Sequence, residues 1–174
     1  GSQLGTGDLN GDGLVDLAIG IKKRTHGGHS QAGMVEVYVG LEAGGFSASP
    51  DASLGGARNH DYLGEGVVVC DFDGDGVDDL AASATGSDHG EGENLAADVG
   101  AVHVYFGSSA GLKGETGDLS SDPDQIRWGL VPEEDELAGT WDWALAEGHD
   151  VGRRLAAGDM NADGFCDLVA ASWS

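Results

Sequence analysis

One cassette is written three times in this chain without a gap: GSQLGTGDLNGDGLVDL at 1–17, GEGVVVCDFDGDGVDDL at 64–80 and GRRLAAGDMNADGFCDL at 152–168. Each copy ends in D-x-[DN]-x-D-G-x-x-D-L, beginning at Asp8, Asp71 and Asp159. The spacers between copies differ in length. A fixed cassette with variable spacers means one structural unit repeated, with insertions confined to its loops.

The flanks of the cassette say what the unit is made of. Short apolar runs precede the acidic stretch (67–70, 155–157) and follow it (17–19, 80–82, 168–170). Two further runs, GMVEVYVG at 33–40 and GAVHVYFG at 100–107, are β-branched and aromatic between glycines. Such runs are too short for ordinary helices and read as strands. A fourth strand per unit is expected at 51–54 in the first spacer, and at 141–145 or alternatively 125–130 in the second. Strand, acidic loop and three more strands make a four-stranded meander, the blade of a propeller. The expected fold class is all-β, a partial β-propeller of four-stranded antiparallel blades, about two and a half of them, with ion-binding loops between the first and second strands. The expected boundaries are 1–60 for a first blade with a truncated first strand, 61–148 for a second with inserted loops, and 149–174 for the start of a third. The third pattern is in progress at the last residue, so the sequence is treated as a piece of something longer.

Within the cassette, positions 1, 3, 5 and 9 carry side-chain oxygens and position 6 is always glycine. Calcium takes about six to eight oxygen ligands at about 2.3–2.6 Å, and alternate positions of a curled chain can aim at one such ion. Glycine at position 6 turns the chain back, and the carbonyl of position 7 joins the ligands. The expected sets are Asp8, Asn10, Asp12, the Leu14 carbonyl and Asp16; Asp71, Asp73, Asp75, the Val77 carbonyl and Asp79; and Asp159, Asn161, Asp163, the Phe165 carbonyl and Asp167. Up to three Ca²⁺ follow. Magnesium fits less well because it keeps its waters in a smaller octahedral cage. An EF-hand shares the first half of the pattern but needs an acidic residue at position 12, where this chain has Ile19, Ala82 and Ala170, and helices on both sides.

These stretches, GDLNGDGLVDLAIG at 7–20, DFDGDGVDDLAAS at 71–83 and DMNADGFCDLVAAS at 159–172, together with the GMVEVYV and GAVHVYF strands, resemble the FG-GAP repeats of integrin α-chain propellers and of many bacterial extracellular proteins. The Phe of the FG pair is Leu63 and Val151 here, and the GAP element is degenerate. The resemblance implies a calcium-stabilised blade set from a secreted or surface-displayed protein, accompanied by the remaining blades of its parent chain.

Composition excludes some partners. Thirty-one Asp and Glu against 8 Lys and Arg leave a formal charge of −23, which argues against nucleic acid and anionic membranes. No apolar run is long enough to cross a bilayer. Chemistry beyond the loops has few candidates. His26 and His29 lie in the basic stretch KKRTHGGH at 22–29, which reads more simply as a solvated loop than as a zinc site. Ser83, Thr85 and Ser87 lie near Asp88 and His89, without the spacing of a known triad motif. Cys70 and Cys166 can pair or stay free. Trp128, Trp141 and Trp143, with Glu133, Glu134, Asp135 and Glu136, stand in the long second spacer, either as a carbohydrate or protein contact or as packing between blades. No catalytic residue is expected. The reading is a noncatalytic calcium-binding module for extracellular adhesion or recognition of a protein or glycan; the alternatives are an accessory propeller of a larger secreted hydrolase and a calcium-dependent lectin.

Overall fold

The computed structural model of the chain describes residues 3–88, 99–112, 125–128, 144–145 and 151–171. Its elements are all strands: β1 (Gln3–Gly7), β2 (Asp16–Gly20), β3 (Met34–Tyr38), β4 (Ala52–Gly55), β5 (Leu63–Cys70), β6 (Asp79–Ala84), β7 (Ala101–Tyr105), β8 (Gln125–Trp128), β9 (Ala144–Leu145), β10 (Arg154–Gly158) and β11 (Asp167–Ala171). Two antiparallel meanders run β1-β2-β3-β4 and β5-β6-β7-β8. Each acidic stretch is the turn between the first and second strand of a sheet, since Gly7 pairs with Asp16, Cys70 with Asp79 and Gly158 with Asp167.

Of the two candidates for the fourth strand of the second sheet, the structure uses 125–128, paired with β7. The other, at 144–145, goes to the third sheet, where it lies parallel to β11 in the order β10-β11-β9. This edge departs from the expected all-antiparallel blade. The strand β9 precedes β10 in the chain, and running parallel to β11 brings its last residue to the end of the sheet where β10 begins.

Burial explains the composition of the strands. Leu9, Ala18, Val35, Leu54, Leu63, Leu80, Ala82 and Tyr105 form a core between the first and second sheets. Phe72, Ala81, Val102, Val104, Val151 and Leu168 form a second core between the second and third. The middle sheet is therefore covered on both faces, and all six residues of β6 are buried. A strand covered twice cannot alternate apolar and polar residues, which is why DLAASA reads as a nearly continuous run of small and apolar side chains. At the end of the sheets away from the acidic turns, a bulge in β5 between Leu63 and Val67 carries Glu65. Its carboxylate takes Lys22 Nζ and the Thr85 hydroxyl, and Arg153 Nε lies 3.8 Å away, so one side chain ties all three sheets. Burial alone would push Glu65 up; Lys22, Thr85 and Arg153 outweigh it and hold the carboxyl below its ordinary value.

Candidate metal centre

The three acidic turns curl in the same way because the carboxylate at position 1 captures backbone N–H groups further along. Asp8 accepts from Asp12 (3.0 Å) and Gly13 (2.8 Å), Asp71 from Gly74 (2.7 Å) and Gly76 (2.9 Å), and Asp159 from Asp163 (3.1 Å) and Gly164 (3.0 Å). Position 5 accepts from position 7 in every turn: Leu14 to Asp12, Val77 to Asp75 and Phe165 to Asp163. These Asx-type bonds shape a short loop without using helix or sheet.

Position 9 does a different job. Asp16 and Asp79 are fully buried and Asp167 nearly so. Each accepts the N–H of position 2, from Leu9, Phe72 and Met160 at 2.9, 2.7 and 2.7 Å. Asp16 and Asp79 also take the N–H of Gly40 and Gly107, both at 2.8 Å, which pins the turn to the end of the third strand. A Cβ on either glycine would run into the backbone of residue 15 or 78, so only glycine lets the donor approach. Sequence reasoning passed over Gly40 and Gly107, although both GxVxVYxG runs end on them.

The electrostatics are those of crowded carboxylates. Burial pushes Asp79 up to about 6, against the pull of the Gly107 and Phe72 N–H groups, and neighbouring Asp73 adds to the rise. Burial likewise raises Asp16, with Asp12 and Asp8 contributing. In the second turn, oxygens of Asp71, Asp73 and Asp79 lie within 4.8 Å of one another, the one such meeting of three acidic or other metal-type side chains among the described residues. Two oxygens on opposite sides of a calcium ion, each at about 2.4 Å, are about 4.8 Å apart. The donor set fits a hard divalent cation. Asp75 stands outside that trio. In the first and third turns position 3 is an amide, and Asn10 and Asn161 donate to Asp12 and Asp163 at 3.0 Å, which relieves part of the repulsion that the second turn retains.

Two joints connect neighbouring turns: the Asp8 N–H donates to the Asp78 carboxylate at 2.8 Å, and a disulfide joins Cys70 and Cys166 with Cα atoms 6.1 Å apart. The remaining candidates have structural partners. Ser83 accepts the Gly66 N–H, Thr85 donates to Glu65 and Ser87 to Asp61, so the three hydroxyls brace the second sheet and the bulge of β5. His26 and His29 exchange backbone hydrogen bonds, and among the described residues they join no cluster of three metal-type ligands. His89, Trp141, Trp143 and residues 133–136 lie outside the described residues, as does the side chain of Trp128.

Two four-stranded sheets and a three-stranded one, stacked with an acidic loop at the first turn of each, define a set of propeller blades. Residues 8–82 match the family model described as FG-GAP-like repeat, and residues 63–105 match FG-GAP repeat. The chain belongs to the FG-GAP repeat proteins, with integrin-like blades. It is 30% identical to phosphatidylinositol-glycan-specific phospholipase D of Bos taurus over 99% of this chain and 18% of that protein. It is 38% identical to the enzyme of the same name from Rattus norvegicus over 48% of this chain and 10% of that protein. Integrin alpha-5 of Xenopus laevis is 27% identical over 99% of this chain and 14% of that protein. The chain thus spans less than a fifth of the length of these curated relatives. Among the described residues, no helix is long and apolar enough to cross a membrane.

Proposed function

We propose that each acidic turn holds one calcium ion and that the blades form a noncatalytic recognition module acting outside the cell on a protein or glycan ligand. The ligands are Asp8, Asn10, Asp12, the Leu14 carbonyl and Asp16; Asp71, Asp73, Asp75, the Val77 carbonyl and Asp79; and Asp159, Asn161, Asp163, the Phe165 carbonyl and Asp167. The observation that carries this reading is the convergence of Asp71, Asp73 and Asp79 within 4.8 Å, in a turn that shares with the other two the bonds from position 6 to position 1, position 7 to position 5 and position 2 to position 9. The disulfide supports an oxidising compartment. The blades are 1–60, 61–148 and 149–174, completed into a ring by further blades of a parent chain.

Calcium loops of extracellular modules have Kd of about 10⁻⁴–10⁻³ M, so 10 mM Ca²⁺ stabilises the fold by about 1.4–2.7 kcal/mol per filled loop. The expected outcome is a melting temperature several degrees higher in 10 mM Ca²⁺ than in chelator, with a smaller rise in Mg²⁺. Equal melting in chelator and calcium refutes the ion sites.

A second reading is favoured by the match of nearly the whole chain to a phosphatidylinositol-glycan-specific phospholipase D. In it, these blades are the accessory propeller of a larger secreted hydrolase and present a glycolipid to chemistry located elsewhere. Calcium-dependent binding of the chain to phosphatidylinositol-glycan vesicles, absent with plain phosphatidylcholine, would favour this reading over protein recognition.

A further inference from the structure

The contacts between the first and second turns recur between the second and third, position for position. Asp78, at position 8, donates its N–H to the Asp8 carbonyl at 2.9 Å, and Cys166, also at position 8, donates to the Asp71 carbonyl at 3.3 Å. Val77, at position 7, packs where a Cβ on Gly11 would lie 3.1 Å from it, and the Phe165 ring covers Gly74 in the same way. The side chain at position 8 completes each joint. Asp78 accepts the Asp8 N–H at 2.8 Å, while Cys166 is bonded covalently to Cys70, the residue before Asp71.

We propose that the three turns fill with calcium as a coupled row, and that Asp78 and the Cys70–Cys166 disulfide are the positioning groups that couple them. The inference rests on the calcium reading above. Position 8 immediately precedes the position 9 ligand of its own turn and is fastened to position 1, the first ligand of its neighbour. An ion that settles Asp79 therefore holds Asp78, and through it the backbone of Asp8. An ion that settles Asp167 holds Cys166, and through it Cys70 and Asp71. A turn whose neighbour is already filled has less freedom to lose on binding, which is positive coupling without any change of fold.

The test is a calcium titration of the full chain followed through the ¹⁵N-labelled amides of Gly13, Gly76 and Gly164, one at position 6 of each turn. Dithiothreitol opens the disulfide to two thiols as it closes to its own cyclic disulfide, and Cys70→Ser with Cys166→Ser removes the bond outright. Either is expected to raise the midpoints at Gly76 and Gly164 about fivefold or more, with a smaller change at Gly13. Asp78→Ala is expected to raise the Gly13 and Gly76 midpoints about fivefold each, because coupling between two binding sites is reciprocal. Asp78→Asn keeps an oxygen for the Asp8 N–H and is expected to leave Gly13 within about twofold. Reduced wild-type chain decides the matter if the serine variants lose the amide dispersion of the sheets. Midpoints indifferent to the disulfide and to Asp78, or shifted equally at all three glycines, overturn the coupling and leave the calcium sites standing. Amides that ignore calcium in the oxidised wild-type chain overturn the calcium reading itself.

Discussion

Gly74 and Ala162 stand at position 4 of two cassettes, and both have positive φ, 77° and 63°. Their substitutions should nonetheless behave differently. Left-handed backbone costs a residue with a Cβ about 1–2 kcal/mol, so Ala162 already bears a strain that Gly74 avoids. At Gly74 a Cβ would in addition collide with the Phe165 ring. Gly74→Ala is expected to destabilise by about 2 kcal/mol or more, whereas Ala162→Gly should stabilise by up to about 1 kcal/mol. Urea unfolding in chelator measures both, and a loss at Gly74→Ala no larger than the gain at Ala162→Gly would refute the role of the neighbouring turn. Position 6 was legible as a glycine forced by a turn, because the reason for it is local. Position 4 was not, because half of its reason lies in a side chain from another repeat.

At the scale of strands, sequence and structure agree where the signal is local and part where it is not. The runs beside each cassette, 33–40, 51–54 and 100–107 all contain strands because alternating or continuous apolar residues bounded by glycine leave little else to form. The choice of 125–128 over 141–145 as the fourth strand of the second sheet depended on which segment reached β7, and the parallel setting of β9 depended on where β10 begins. The joint at Glu65 needed a bulge whose local sign is the pair of glycines, Gly64 and Gly66, on either side of it. The strand β7 carries a testable detail of its own. His103 is half-buried, its Nδ1 is 3.4 Å from the Tyr105 hydroxyl, and loss of solvent pushes the imidazole down to about 4. Its folded value lies below the ordinary value of 6.5, so the neutral ring contributes stability that is complete above 6.5 and is lost as pH falls toward 4. Stability of His103→Asn should therefore fall less than that of the wild type between pH 6.5 and 4, in chelator. Parallel pH profiles would refute the assignment.

At the largest scale, the described residues form three sheets held by two cores, by a row of acidic turns along one end and by the Glu65 ion pairs at the other. The acidic turns and the blades were readable in the repeats, but the pairing of Cys70 with Cys166 was open, because nothing in a separation of 96 residues indicates proximity. Only the stacking of one turn on the next brings position 8 of the third against the start of the second. That bond also decides how the molecule answers to force. Pulled from its two ends, the oxidised chain transmits tension directly from Cys70 to Cys166, and everything between them is shielded from load. In single-molecule stretching, reduction should release roughly 300 Å of additional contour length, the extended span of the 96-residue ring. An unchanged extension would mean that the bond does not form. With the bond intact, load can draw out the first sheet, β5 up to Cys70 and β11, whereas β6, β7, β8, β9 and β10 lie inside the ring and keep their shape while the strands around them yield.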